Sequence, residues 1–250
     1  MGARTVIVLL TAAALIAACS PDHSPAPRFG SPATDGGVSR PSGDASFACV
    51  GVTPPAAAWQ DVPGPLRVDA GSEVPGSPPA PGDAGDAEVP VDPRIVGAPM
   101  PTYSLRDRQP LSCGFGAAYG LPIYRGKVTF VALLAGWCGF CQAQALKLEE
   151  LRLEFARETT DLAFVVVNKA DAAEQIGELT RRCSFPVLQD LPEVDGWALH
   201  AGVKDDFYLY GRDGVLADYM HIGGPRNLNL STEDGYGAVR TAIRAVLAKR

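Results

Sequence analysis

The run from Lys127 to Ala135, KVTFVALLA, is apolar at nearly every position, the pattern of a strand covered on both faces. Beyond it the period changes. Cys141, Ala145, Leu148, Leu151 and Phe155 recur three or four residues apart, with Glu149, Glu150, Arg152, Glu154, Arg157 and Glu158 around them. This predicts an amphipathic helix from about Cys138 to Glu158, its charged side facing water. LAFVVVN, Leu162 to Asn168, predicts a second buried strand; a helix follows over 171–182, and Pro186 to Gln189 is a short strand-like run. In DFYLYGRDGVLADYMHI the Asp213-Gly214 pair supplies the positive φ of a hairpin turn, so the segment predicts two antiparallel strands around Arg212-Asp213-Gly214. Ser231-Thr232-Glu233-Asp234 resembles a capping box opening a last helix with Val239, Ile243, Val246 and Leu247 on one face. Trp197 to Lys204 is the one long irregular insertion in this half.

The resulting order, β-α-β-α-β-β-α, predicts an α/β domain with a central mixed sheet flanked by helices on both sides. That is the order of the thioredoxin-like fold. The first part of the chain cannot add to such a core. Sixteen of the 22 prolines lie between Pro21 and Pro99, among Gly, Ser, Ala and Asp, so residues 19–94 read as a disordered tether and 95–250 as the thioredoxin-like domain. Residues 1–18 place Arg4 before a short apolar run that ends in small residues, the layout of a signal peptide. Ile16-Ala17-Ala18-Cys19 resembles the lipobox of bacterial lipoproteins, which implies lipidation of Cys19 and a lipid-anchored place in the cell envelope, at the periplasmic face or the outer membrane. The net charge of −6, without a Lys/Arg cluster, argues against nucleic acid or an anionic membrane surface as partner. The domain is expected to be a monomer.

Export would put the other cysteines in an oxidising compartment, where disulfides persist. Cys138 and Cys141 stand where the first strand gives way to the helix, the place where open α/β sheets hold their chemistry. Unpaired N–H groups and the positive end of the helix dipole favour a thiolate at Cys138. Cys141, one turn on and more buried, can resolve a mixed disulfide or an oxidised Cys138. Gly139 is expected to let the turn close, Phe140 to wall the site and Trp137 either to contact substrate or to pack in the core. A metal centre needs about four N or S ligands. There is no second C-x-x-C, and His23, His200 and His221 lack paired spacing, which leaves Cys138, Cys141, Cys183 and Cys113 as the weaker alternative. Neither metal nor organic cofactor is expected.

Three further cysteines are left over. Cys113 and Cys183 could form a structural disulfide, or Cys183 could be a third redox thiol, and a structural role or none is expected ahead of a catalytic one; Cys49, in the tether, could pair with either, and spacing does not fix the connectivity. Lys204-Asp205-Asp206 reads mainly as a solvated loop end, and Asn168 as a turn residue.

Beyond the fold, the residues from about Pro101 to Val246 resemble the amino-terminal domain of selenoprotein P. The resemblance is carried by PTYSLRDRQPL, FVALLAGWCGFCQAQALKLEELR, FVVVNK, FPVLQD and KDDFYLYGRDGVL. It implies a thioredoxin-like domain with thiol-dependent peroxidase or oxidoreductase activity. In the family the first active-site position is selenocysteine; Cys138 holds that place here and Cys141 that of its partner, as in a bacterial cysteine-containing relative. The selenocysteine- and histidine-rich region of the animal protein is not found, so selenium transport is not expected to follow. Resemblance to thioredoxin-like proteins also implies that Phe185-Pro186 carries a cis proline beside the dithiol and shapes the substrate groove. The buried acid that serves the second cysteine in thioredoxins would fall at about Ala132, where there is no carboxylate. The expected function is an exported, lipid-anchored thiol–disulfide oxidoreductase acting on a protein disulfide, a small thiol or a hydroperoxide. A thiol peroxidase and a binding module stapled by a permanent Cys138–Cys141 bond are the alternatives.

Overall fold

The computed structural model describes residues 49–56 and 91–249; the expected signal peptide and Cys19 lie outside them. The strands are β1 (Leu105–Asp107), β2 (Ala118–Tyr119), β3 (Val128–Leu134), β4 (Leu162–Asn168), β5 (Val187–Gln189), β6 (Phe207–Tyr210) and β7 (Leu216–Met220). The helices are α1 (Gly139–Phe155), α2 (Ile176–Thr180), α3 (Gly196–Leu199) and α4 (Glu233–Leu247), with 3-10 turns at Leu121–Tyr124 and Ala170–Gln175. Among the described residues the seven strands form one sheet in the order β2-β1-β5-β4-β3-β6-β7. β3, β4 and β5 run parallel, while β6 pairs antiparallel to β3.

Strand alternation sorts the core into two layers. Phe130, Ala132 and Leu134 of β3 face one cluster with Leu148, Leu151 and Phe155 of α1 and Val239, Ile243 and Val246 of α4. Val131 and Leu133 face the other, with Tyr103, Tyr119, Tyr124, Trp197, Tyr208 and Tyr210. The second face is therefore closed mainly by tyrosines, a 3-10 turn and the single turn of α3, and by no long helix. The region over 171–182, which packs on the first face through Ala172 and Leu179, is broken: a 3-10 turn kinked at Ala172 followed by the five residues of α2. Across β4, β3 and β6, Phe130 lies 5.4 Å from Phe164 and 5.2 Å from Phe207, ring centre to ring centre. Hairpin β6–β7 turns where expected, with Gly214 at φ 79°; α4 is capped one residue later than the motif suggests, by Thr232 Oγ1 on Gly235 N.

Two expectations are corrected here. Cys113 bonds to Cys49, not to Cys183, and Cys183 is a free, buried thiol. Residues 49–56, inside the stretch read as tether, are thus fastened to the domain. Val50 forms a parallel bridge with Ser112, and an added Cβ on Gly51 would sit 3.2 Å from the Pro186 ring.

Phe185-Pro186 is trans, since no cis peptide occurs among the described residues. Its position explains why it is not a site residue. Pro186 O accepts from Val166 N, and β5 then runs parallel to β4 until Gln189 stands opposite Asn168. Pro186 therefore lies about 10 Å back along the sheet from the strand ends that carry the cysteines, at roughly 3.3 Å per residue. It lines a cavity of about 260 Å³ at the opposite end, with Val50, Lys127, Thr160 and Leu162. Phe185 is core, 5.7 Å from Phe164.

The Cys49–Cys113 bond closes a span of 64 residues, long enough for the lost chain entropy to be substantial. Replacing both cysteines by serine is expected to cost about 2–4 kcal/mol in urea unfolding; an unchanged midpoint would show that the segment is not fastened to the folded domain.

Candidate functional site

β3 ends at Leu134 and α1 starts at Gly139, so four residues must turn the chain out of the sheet. Asn168, the last residue of β4, holds that turn. Its Oδ1 accepts from Gly136 N at 2.9 Å, and its Nδ2 donates to Ala172 O at 3.0 Å and to Gln189 Oε1 at 2.7 Å. Asn168 is fully buried and ties three strand ends together, a larger role than that of a turn residue. Gly136 must be glycine, because a Cβ there would lie 2.3 Å from Gln175 O. Gly139 need not be: a Cβ there meets nothing within 4 Å, so its smallness leaves open space beside Cys138.

Cys138 is the N-cap of α1, in extended conformation, and its Sγ accepts from Cys141 N at 3.5 Å. This is the orphan-donor position of a helix start. Cys138 is partly exposed and Cys141 fully buried. Trp137 and Phe140 stand on the rim, 47% and 37% exposed. Trp137 Nε1 donates to Asp171 Oδ1 at 3.0 Å, and its ring lies 5.9 Å from Lys169 Nζ. Of the four residues expected to line the groove, Trp137, Gly139 and Phe140 surround Cys138; Phe185 does not.

The loop before β6 takes the place expected for the proline. Leu133 N donates to Asp206 O at 3.0 Å and Asp205 N to Leu133 O at 2.8 Å, which sets Lys204 and Asp205 against the dithiol. Both acids are buried, at 1% and 0% exposure, so KDD is no solvated loop end. Their roles differ. Asp206 accepts from Val203 N, Ile222 N and Tyr219 OH, which makes it a structural anchor. Asp205 pairs with Lys204 through Oδ2, while its Oδ1 is buried without a hydrogen-bond partner. The Sγ atoms of Cys138 and Cys141 and a carboxylate oxygen of Asp205 lie within 4.8 Å of one another. Asp205 has φ 71°, a left-handed conformation that Asp and Asn tolerate best among non-glycine residues. The KDDF match was the available signal for this loop; the proximity to Cys141 had none.

The two thiols are driven apart. Desolvation opposes the Cys138 thiolate, but the N–H and thiol of Cys141 and the Lys204 ammonium outweigh it, and the pKa falls below the ordinary thiol value. For Cys141, desolvation and the negative Asp205 push the pKa well up, against a smaller pull from the backbone of Ala135. Burial also pushes Cys183 up, to about 12; it touches Leu179 O and Gln109 Nε2 and not the dithiol.

A mixed sheet in this order, with a C-x-x-C pair opening the helix that follows a central strand, is the thioredoxin-like fold. Within it, the chain belongs to the family described as selenoprotein P, N terminal region, which it matches over residues 97–249. It is 34% identical to human selenoprotein P over 131 residues, half of this chain and 31% of that one. To zebrafish selenoprotein Pb it is 37% identical over 130 residues, half of this chain and 46% of the other. The matched segment thus spans less than half the length of either relative. Among solved structures it is similar to an uncharacterized conserved protein from Geobacillus kaustophilus, with TM-score 0.49, 20% identity, and 63% of this chain and 84% of that chain covered. It is also similar to a thioredoxin family thiol:disulfide interchange protein from Chlorobium tepidum, with TM-score 0.44, 15% identity, and 62% and 99% covered.

Alkylation of the native protein with the dithiol reduced is expected to modify Cys138 alone among the cysteines of the described residues, with a rate that rises through a pH below the ordinary thiol range because only the thiolate reacts. Lys204→Met should move that profile to higher pH by removing a cation that favours the thiolate. Mass spectrometry of the labelled peptides checks both; equal labelling of Cys138 and Cys141, or a profile indifferent to Lys204, would contradict the assignment.

Proposed function

We propose that this chain is a thiol–disulfide oxidoreductase that works through Cys138 and Cys141. The observation that carries the reading is the asymmetry of the pair: one partly exposed sulfur at a helix N-cap beside a lysine, the other buried one turn behind it. The Cys138 thiolate attacks one sulfur of a substrate disulfide, breaking that bond and releasing one substrate thiolate. A mixed disulfide now joins Cys138 to the substrate. Cys141 gives its proton to Asp205 and attacks Cys138 Sγ, which forms the Cys138–Cys141 bond and expels the second substrate thiolate. Two electrons pass to the substrate; read backwards, the same steps oxidise a dithiol. Asp205 fills the role for which β3 offers no carboxylate at Ala132, reaching Cys141 from the loop before β6 instead. Trp137 and Phe140 give the site an apolar rim suited to an unfolded or extended polypeptide disulfide.

The proposal includes export and anchoring through Cys19. Its support is the lipobox-like segment together with the Cys49–Cys113 bond, a kind of cross-link that persists where the surroundings are oxidising.

The test is turnover of a peptide disulfide with a recycled thiol reductant. Cys138→Ser should abolish it, and Cys141→Ser should trap a mixed disulfide on Cys138 detectable by mass. Asp205→Asn should slow resolution by about 100-fold or more, the scale of a lost proton acceptor. Pro186→Ala should leave turnover within about twofold, since the residue is remote from the chemistry. Turnover that survives Cys138→Ser removes Cys138 as the nucleophile, no turnover by the unmutated protein removes the enzyme reading, and a Cys138 that prefers hydroperoxide to disulfide makes the protein a peroxidase.

A further inference from the structure

We propose that the reduced site is also a zinc(II) site, with Cys138 Sγ, Cys141 Sγ and Asp205 Oδ1 as ligands and a fourth position open to solvent. The cysteine spacing alone does not reach this. It supplies two ligands, and the third comes from a loop more than sixty residues along the chain, brought in by the β3–β6 pairing. Two features of Asp205 point to a ligand. Its side chain is 2% exposed, and Oδ1 is buried with no hydrogen-bond partner, whereas every other described buried side-chain N or O atom has one. A bare carboxylate oxygen in such a place is costly unless something accepts its lone pairs.

Lys204 does not block this arrangement, because its ammonium is bonded to Oδ2 and leaves Oδ1 free. It would stay as the outer partner that orients a monodentate carboxylate, as ligating carboxylates commonly require. The charges also close. Two thiolates and one carboxylate carry three negative charges; Zn²⁺ and the Lys204 ammonium carry three positive ones. Zinc bonds are about 2.3 Å to sulfur and 2.0–2.2 Å to oxygen, so tetrahedral ligands stand roughly 3.5 Å apart. The two sulfurs and one carboxylate oxygen of Asp205 now lie within 4.8 Å of one another, so side-chain rotations that turn Oδ1 toward the sulfurs and draw the atoms in by about 1 Å suffice. Gly139 leaves the solvent side open, and the partial exposure of Cys138 gives the ion a way in.

Binding releases the thiol protons: Zn²⁺ and two thiols give a zinc dithiolate and two H⁺, with no change of oxidation state. The same sulfur electron pairs cannot also form the Cys138–Cys141 bond. Metal loading and redox cycling therefore exclude each other, and zinc would hold the dithiol reduced and idle until a chelator or an oxidant removes it.

The experiment is a competition titration of the full-length reduced protein with Zn(II) against a chromophoric chelator, repeated after oxidation of the dithiol. One zinc per chain, competed away only by a chelator and lost on oxidation, is expected. Asp205→Asn, which keeps the shape and tolerates the left-handed backbone, should weaken binding at least about tenfold. Cobalt(II) in place of zinc should give thiolate charge-transfer bands that fall in Cys138→Ser. Equal binding by oxidised and reduced protein, or equal binding by the Asp205→Asn protein, overturns the three-ligand site. The oxidised-protein comparison needs no mutant and so is independent of folding defects. These readouts do not involve turnover, so a protein that binds zinc but reduces no disulfide would sink the oxidoreductase reading and leave this one standing.

Discussion

The register of β6 against β3 is the constraint on which the site depends. Ala132 stands opposite Phe207 and Thr129 opposite Tyr210, with Phe207 and Leu209 directed to the helical layer and Tyr208 and Tyr210 to the tyrosine layer. A slip of one residue would exchange those sets between two cores of different shape, so the pairing is strongly specified. Once it is fixed, the two backbone bonds from Leu133 to Asp205 and Asp206 follow. The acidic loop then has no choice of place: it lies across the end of β3, against the start of α1. Core packing several residues away thus determines which carboxylate meets Cys141.

Much of this was legible in the sequence, and what was not follows from particular residues. β3, β4 and α1 carry long, clean periods, so their bounds were readable to within a few residues. β1 and β2 have three and two residues, too few for a period to show. Pro186 misled for a physical reason. A proline before a short apolar strand looks the same locally whether that strand joins the sheet parallel to β4 or antiparallel to β3, and only the strand order separates the two. Because β5 joins parallel to β4, its first residue sits at the far end from the dithiol. β6, antiparallel to β3, begins at the near end, and its leading residues are Lys204, Asp205 and Asp206. The adjacent acids could not be told apart by sequence either, since one is satisfied by three donors and the other keeps a bare oxygen.

The proline has a structural task of its own. Gly51 packs on its ring, and the segment carrying Gly51 is held by the Cys49–Cys113 bond and the Val50–Ser112 bridge. One end of the sheet is therefore closed covalently, and the other carries the free thiols of Cys138 and Cys141.

What distinguishes the two ends is the local field on each sulfur and not the number of cysteines available. Among the described residues, only Cys138 combines a helix N-terminus, a neighbouring ammonium and access to solvent. Cys183 has none of the three: it sits in the core, its thiol donating to Leu179 O, with a pKa pushed up to about 12 by burial. Cys141 is buried as deeply, yet it is one helical turn from Cys138 and faces a carboxylate. Burial that leaves one thiol inert would leave the other, in the proposed cycle, a second nucleophile with a carboxylate and the Cys138 sulfur within reach. The chemistry of this chain is then set by the neighbours of its cysteines, and those neighbours are set by the way β6 joins the sheet.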